Sequence, residues 1–187
     1  MQTNLNKVKD AELYQMLRGD KKNARQAFEE LYSRHSQKVY TFCLKYLNDT
    51  ILAEDIFQES FTRLYTSSQS GAVIGSVAGF LITVAKNLCY NEANRKKESV
   101  TFPEEYDAGY LDTSLENKEL SNIIQLAIDT LPDNLKEVII LRENLDMSYT
   151  EIAEVMNISL SSVRVNIYRA KEKLRQILTP YLNDIED

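Results

Sequence analysis

The chain has 187 residues, 43% hydrophobic and 27% charged, with 22 Lys and Arg against 28 Asp and Glu and a pI near 5.0. That balance excludes an intrinsically disordered polymer and leaves room for one domain or two small ones. Only 5 Gly and 3 Pro interrupt a chain rich in Leu, Glu, Lys and Ala, so helices are expected throughout.

The opening MQTNLNKVKDAELYQ lacks the apolar run of a signal peptide. The most apolar stretch, GAVIGSVAGFLITVA (Gly71 to Ala85), is too short and too rich in Gly and Ser to span a bilayer. A cytoplasmic location is the expectation. The net charge of -6 hides a segregation. Residues 1–97 carry 14 Lys and Arg against 10 Asp and Glu, whereas residues 98–131 carry one Lys against eight acids. Over residues 160–178, Arg164, Arg169, Lys171, Lys173 and Arg175 face Glu172 alone. Charges beyond roughly 10 Å are screened at moderate salt, so this local basic run, not the total, governs what the segment attracts. A chain with such a total should still hold DNA weakly by itself.

In chain order, a weak helix around Ala11 to Leu17 precedes Gly19-Asp20. Phe28, Leu31, Tyr32, Val39, Phe42, Tyr46 and Leu47 recur at helical spacing. Asn48-Asp49 can cap a second stripe of Ala53, Ile56, Phe57, Ser60, Phe61 and Leu64. TSSQSGAVIGS (Thr66 to Ser76) reads as a flexible loop. Val77, Leu81, Val84, Ala85 and Leu88 make a third stripe. ESVTFPEEYDAGYLDTSLENKE (Glu98 to Glu119) is acidic, aperiodic and broken by Pro103 and Gly109, so it reads as a linker. Leu120, Ile123, Ile124, Ala127, Ile128 and Leu131 follow, ended by Pro132. Leu135, Val138, Ile139 and Arg142 then lead to a turn at Glu143 to Met147. No alternation supports a strand. The fold class expected is all-α, with two small helical domains, 1–97 and 120–187, joined by an acidic flexible linker over 98–119.

The rear domain carries the clearest motif. Ser148 and Glu151 form a capping box at the start of a short helix bearing Ile152, Ala153 and Met156. Asn157 falls where a tight turn needs a left-handed residue, Ile158 plugs that turn, and Ser159 can cap the next helix. In that helix Val163, Ile167, Ala170 and Leu174 form a core stripe. Arg164, Tyr168, Lys171 and Arg175 repeat the spacing about 100° round the cylinder, and Ser162, Asn166, Arg169 and Lys173 form a third row. A helix of this kind fits a major groove, where Arg suits guanine, Asn suits adenine, and Lys and Ser suit phosphates. Short capped helix, tight turn and basic helix coincide, which favours DNA contact over a merely solvated face.

Cys43 and Cys89 sit inside apolar patterns and read as buried thiols, and His35 lies on a core stripe away from any metal-ligand spacing. There is no phosphate-binding loop and no paired-cysteine motif, so neither catalysis, metal nor cofactor is expected.

AEDIFQESFTRLY (Ala53 to Tyr65), FLITVAKNLCYNEANRKKE (Phe80 to Glu98) and LPDNLKEVIILRENLDMSYTEIAEVMNISLSSVRVNIYRAKEKL occur in that order. The ordered set closely resembles the two-domain sigma factors of bacterial RNA polymerase, in particular the extracytoplasmic-function group. The resemblance implies a dissociable specificity subunit that brings core polymerase to promoters. Asp55, Gln58 and Glu59 match the face that docks on the clamp helices of the β′ subunit. Phe80, Thr83, Asn87 and Asn91, flanked by Lys86, Arg95, Lys96 and Lys97, match the surface that melts the promoter and reads the minus-ten element. An aromatic and amides beside cations suit single-stranded bases and phosphates. Base capture would use a pocket formed with the Thr66 to Ser76 loop.

Ser161, Ser162, Arg164, Val165, Tyr168, Arg169 and Lys171 fall on the helix implied to read the minus-thirty-five element. The rear domain would rest on the β flap, and the linker would run through the RNA exit path. An anti-sigma protein clamping both domains is a further partner common in the group; no small-molecule substrate is implied. Some positions depart from the pattern. Phe80 stands where many relatives have Trp, which reduces the stacking surface. Thr83, Asn91 and Asn94 stand where Arg, Asp and Arg are frequent, and Val165 can meet a thymine methyl where a polar residue is common. The alternative reading is a stand-alone helix-turn-helix regulator with a sensing or dimerising front domain, which would bind its operator unaided.

Overall fold

A computed structural model describes residues 5–99 and 115–183, and the regular structure among them is entirely helical. A single 3-10 turn, Leu5–Lys7, leads into α1 (Asp10–Met16). Then come α2 (Lys21–Leu47), α3 (Thr50–Gln69) and α4 (Val77–Ser99). The rear half holds α5 (Leu115–Asp129), α6 (Asp133–Ile139), α7 (Tyr149–Met156) and α8 (Leu160–Asn183). Both ends of the linker expected over 98–119 are helical instead, α4 running to Ser99 and α5 starting at Leu115, and its centre, 100–114, lies outside the described residues.

Short polar side chains set the ends of the front helices. Asp20 accepts hydrogen bonds from the Lys22 and Asn23 amides at 3.0 and 3.1 Å and starts α2. Asn48 ends α2 in the left-handed region at φ 51°, and Asp49 immediately opens α3 by accepting from the Leu52 amide at 3.0 Å. α3 outruns the sequence expectation: Thr66 to Gln69 are helical, so the loop is only residues 70–76. Hydroxyls that would otherwise compete with the helix bond back to it instead, Thr66 Oγ1 to the Thr62 carbonyl at 3.1 Å and Ser68 Oγ to the Tyr65 carbonyl at 2.6 Å. The turn expected at Glu143 also shifts. Helical structure continues past α6 as a π turn, Ile140–Asn144, and the chain reverses at Asp146, with φ 53°. Arg142 braces the reversal by donating to the Met147 carbonyl at 2.9 Å.

In the front bundle α2, α3 and α4 pack on one another, with α1 across α2. Leu13, Leu17, Leu31, Phe42, Leu64 and Leu81 are fully buried, each worth about 1.5–3 kcal/mol relative to exposure. Tyr32 is an exception to its stripe: it is exposed, its ring meeting Phe57 and Phe61 from outside at 5.6 and 5.0 Å. On α4 the buried row is Val77, Leu81, Ile82, Ala85 and Cys89, while Val84 and Leu88 are half-buried. On α5 Ile124 faces solvent, and Ala127, Ile128 and Leu131 are buried.

The two bundles also pack together. α7 lies against α4, and the π turn after α6 lies against α2. Gln125, buried on α5, donates to the Lys45 carbonyl of α2 at 3.0 Å. Lys136 sits 4.9 Å from the centroid of the buried Tyr46 ring and is paired with Asp129 at 2.7 Å. Glu137 is buried in the same seam, where Lys86 of α4 is its favourable charge. Beneath it lie Cys43 and Cys89, both buried and reduced; the hydrogen bond with Cys43, then burial, pushes the Cys89 thiol up.

Candidate promoter and polymerase surfaces

α7 and α8 form the expected helix-turn-helix. Ser148 Oγ accepts from the Glu151 amide at 3.3 Å, and Glu151 Oε2 accepts from the Ser148 amide at 2.8 Å. These bonds hold the Glu151 carboxyl below the usual range. Asn157 ends α7 at φ 52° and ψ 48°, and the Ile158 amide reaches back to the Ala153 carbonyl at 3.0 Å. Ser159 Oγ accepts from the Ser162 amide at 3.1 Å, so α8 begins one residue later.

α8 sorts its residues as the periodicity requires. Val163, Ile167 and Ala170 are buried and Leu174 half-buried. Arg164, Val165, Tyr168, Arg169 and Lys171 are exposed, Tyr168 at 70%, an unusual position for a large ring. Ser161 is exposed and Ser162 half-buried, both beside the cap. Sequence reasoning missed one contact: Lys171 pairs with Glu143 at 2.9 Å, across the groove between the π turn and α8. Twenty-eight residues separate the two, so no local pattern could reveal it.

The α4 residues divide. Asn87, Asn91, Arg95 and Lys96 are exposed, whereas Phe80, Thr83 and Lys86 are half-buried, Phe80 against the core. Arg95 pairs with Glu92 at 2.7 Å and Lys96 with Asp49 at 2.8 Å. The side chain of Lys97 lies outside the described residues. Part of this row therefore lies beside the seam with the rear bundle and part is open.

On α3, Asp55, Gln58 and Glu59 are exposed, while Ala53, Ile56, Phe57 and Ser60 face inward. Glu59 is paired with Arg63 at 2.8 Å on the same helix, and Asp55 and Gln58 are exposed beside it. His35, expected in the core or at its edge, is largely covered, with Nε2 2.6 Å from Asp10 Oδ2. Among the described residues no cluster of His, Cys, Asp and Glu could hold a metal, and no helix is long and apolar enough to cross a membrane.

An acid-faced helical bundle followed by a basic helix-turn-helix defines a class of chain, and family models match both parts in order. Sigma-70 region 2 matches residues 31–99 and Sigma-70, region 4 matches residues 121–174. The ECF RNA polymerase sigma factor SigW of Bacillus subtilis is 32% identical over 172 residues, covering 84% of this chain and 92% of that protein. The ECF RNA polymerase sigma-E factor of Haemophilus influenzae is 32% identical over 178 residues, covering 88% and 92%. Among solved structures, CnrH in complex with the cytosolic domain of CnrY has the same fold, with a TM-score of 0.69 at 20% identity over 91% of this chain and 97% of that one. RpoE from Bartonella quintana, solved with the anti-sigma factor NepR, gives 0.61 at 19% identity, covering 84% and 98%.

The chain belongs to the ECF RNA polymerase sigma factors of the sigma-70 family. It is a promoter-recognising factor of transcription initiation that works with RNA polymerase.

Proposed function

We propose a residue-level division of labour for this sigma factor. Residues 1–97 dock on the polymerase and open the promoter, 98–119 connect, and 120–187 grip the duplex upstream. Asp55, Gln58 and Glu59 meet basic side chains on the β′ clamp helices. Phe80, Thr83, Lys86, Asn87, Asn91, Arg95 and Lys96 take the minus-ten strand, an unpaired base entering beside the loop before α4. Extracting that base costs a few kcal/mol of unstacking, met by binding and not by nucleotide hydrolysis. Ser161, Ser162, Arg164, Val165, Tyr168, Arg169 and Lys171 read the minus-thirty-five element in the major groove while the rear domain rests on the β flap.

The observation that carries this reading is α8, where the exposed Arg164, Val165, Tyr168 and Arg169 stand one or two residues beyond the buried Val163 and Ile167. The chemistry of that aromatic-basic face suits base edges and phosphates. The chain acts as a specificity subunit without catalysis of its own, in the cytoplasm. An anti-sigma protein is a further partner, supported by the sigma factor RpoE of this fold, solved with the anti-sigma factor NepR.

Run-off transcription tests the proposal, on a fragment upstream of the chain's own gene. The purified protein should bind promoter duplex poorly alone and direct a discrete transcript once core polymerase is added. Replacing Asp55 and Gln58 by Lys should abolish the transcript by lowering affinity for core polymerase. Promoter footprinting by the isolated chain, with core affinity untouched by those changes, would favour a stand-alone regulator.

A further inference from the structure

α1 and the residues just after it carry none of the roles assigned above, yet Tyr14 and Arg18 converge on one loop. The hydroxyl of the buried Tyr14 is hydrogen-bonded to Ser67 Oγ at 3.0 Å and to the Ala72 carbonyl at 3.3 Å. Arg18 Nη2 donates to the same carbonyl at 3.0 Å, its guanidinium 5.9 Å from the Tyr14 ring centroid. Gln69 Nε2 answers from the loop's root by donating to the Leu17 carbonyl at 2.7 Å.

α1 is itself anchored. Arg34 of α2 donates to the carbonyls of Leu5 and Val8 at 2.9 and 2.8 Å and to Asp10 at 2.7 Å. Between α1 and the loop lies a cavity of about 380 Å³, with Asp10, Tyr14 and Arg18 on one wall and Ile74, Ser76 and Val77 on the other. The loop needs such a brace: Gly71 turns it at φ 82°, and Val73 at its tip is 97% exposed.

We propose that Tyr14 and Arg18 are positioning residues for promoter opening, holding the Ala72 carbonyl so that residues 70–76 keep the shape that receives the unpaired strand. The inference rests on the role given to this loop in the proposed function. A Gly-containing loop left loose must be ordered at the moment of base capture, and that ordering subtracts from binding. Arg18 donates to this carbonyl while the single Tyr14 proton is shared between it and Ser67 Oγ, and that tether removes part of the cost beforehand.

The test uses the full chain with Tyr14→Phe and Arg18→Ala, singly and together. Tyr14→Phe keeps the buried ring, and Arg18 is exposed, so both variants should fold. Hydrogen exchange of the isolated chain should quicken at the hydrogen-bonded amides of Ser70 to Ala72 and stay unchanged in α2. In holoenzyme, opening of a duplex promoter, followed by 2-aminopurine placed in the minus-ten region, should slow about tenfold for the double variant. A promoter mismatched over that region should restore most of the rate, because the base no longer has to be extracted. Unchanged loop exchange would overturn the inference, as would a defect that persists undiminished on the mismatched promoter. A wild-type chain that opens no promoter with core polymerase would sink the parent reading itself, a failure distinct from that of the variants.

Discussion

At Asn157 one side chain decides the angle at which α8 leaves α7. Its φ of 52° lies in a region that costs most residues about 1–2 kcal/mol and that Asn and Gly tolerate. Asn157→Gly should therefore leave stability nearly unchanged in urea unfolding, while Asn157→Val should lose about 2 kcal/mol or more, with β-branching added to the strain. Glu151 offers a second measurement. Its carboxyl is held below the usual carboxylate range, first by the Ser148 side chain and then by the Ser148 amide. A depressed carboxylate stabilises the fold above its unfolded value and loses that contribution as pH falls through the folded one. Glu151→Gln should lower the melting temperature at neutral pH, and the gap to wild type should close in acid. Both residues were legible in the sequence because a cap involves atoms within three or four positions. The Lys171–Glu143 pair was not legible, since its partners meet only when α8 crosses the π turn.

Among the elements, α8 and α4 show when a stripe can be trusted. On α8 the partners α5, α6 and α7 all belong to its own bundle, and Val163, Ile167 and Ala170 are buried as their spacing predicts. α4 meets α2, α3 and also α7, so Ile82 and Cys89 are buried while Val84 and Leu88 remain partly open. The expected minus-ten row is accordingly split between half-buried Phe80, Thr83 and Lys86 and exposed Asn87 and Asn91. For α8, Arg164→Ala and Tyr168→Ala should each weaken promoter binding by the holoenzyme by about 1–3 kcal/mol if they touch base edges. Competition between promoter variants is the readout, with loss of discrimination confined to one or two positions of the upstream element. Because both side chains are exposed, thermal stability of the isolated chain should stay within about 0.5 kcal/mol of wild type. A uniform loss across all sequences would assign them to phosphates instead.

Over the whole molecule, the seam between the bundles is the feature that no periodicity reveals. Burial holds the Glu137 carboxyl above its usual range, with Lys86 working in the opposite direction. A carboxylate with a raised folded value favours the fold below its unfolded value and costs stability as pH rises through the folded one. Glu137→Gln should therefore raise the melting temperature at neutral pH and flatten its decline from acid to neutral, as read by thermal unfolding of the two proteins side by side. If the decline is unchanged, the seam is wetter than its burial indicates.

The sequence by itself determined the helices, their caps, the helix-turn-helix and the basic run on α8, because each arises from side chains within a turn or two of the backbone they serve. Only the tertiary structure decided that the rear bundle rests on the front one, which face of α4 is covered, and that α1 braces the loop before it. Those contacts join residues 47 to 80 positions apart, as between Lys96 and Asp49, Tyr14 and Ala72, or Gln125 and Lys45. Their partners are chosen by how whole helices pack, and no window of sequence contains both ends.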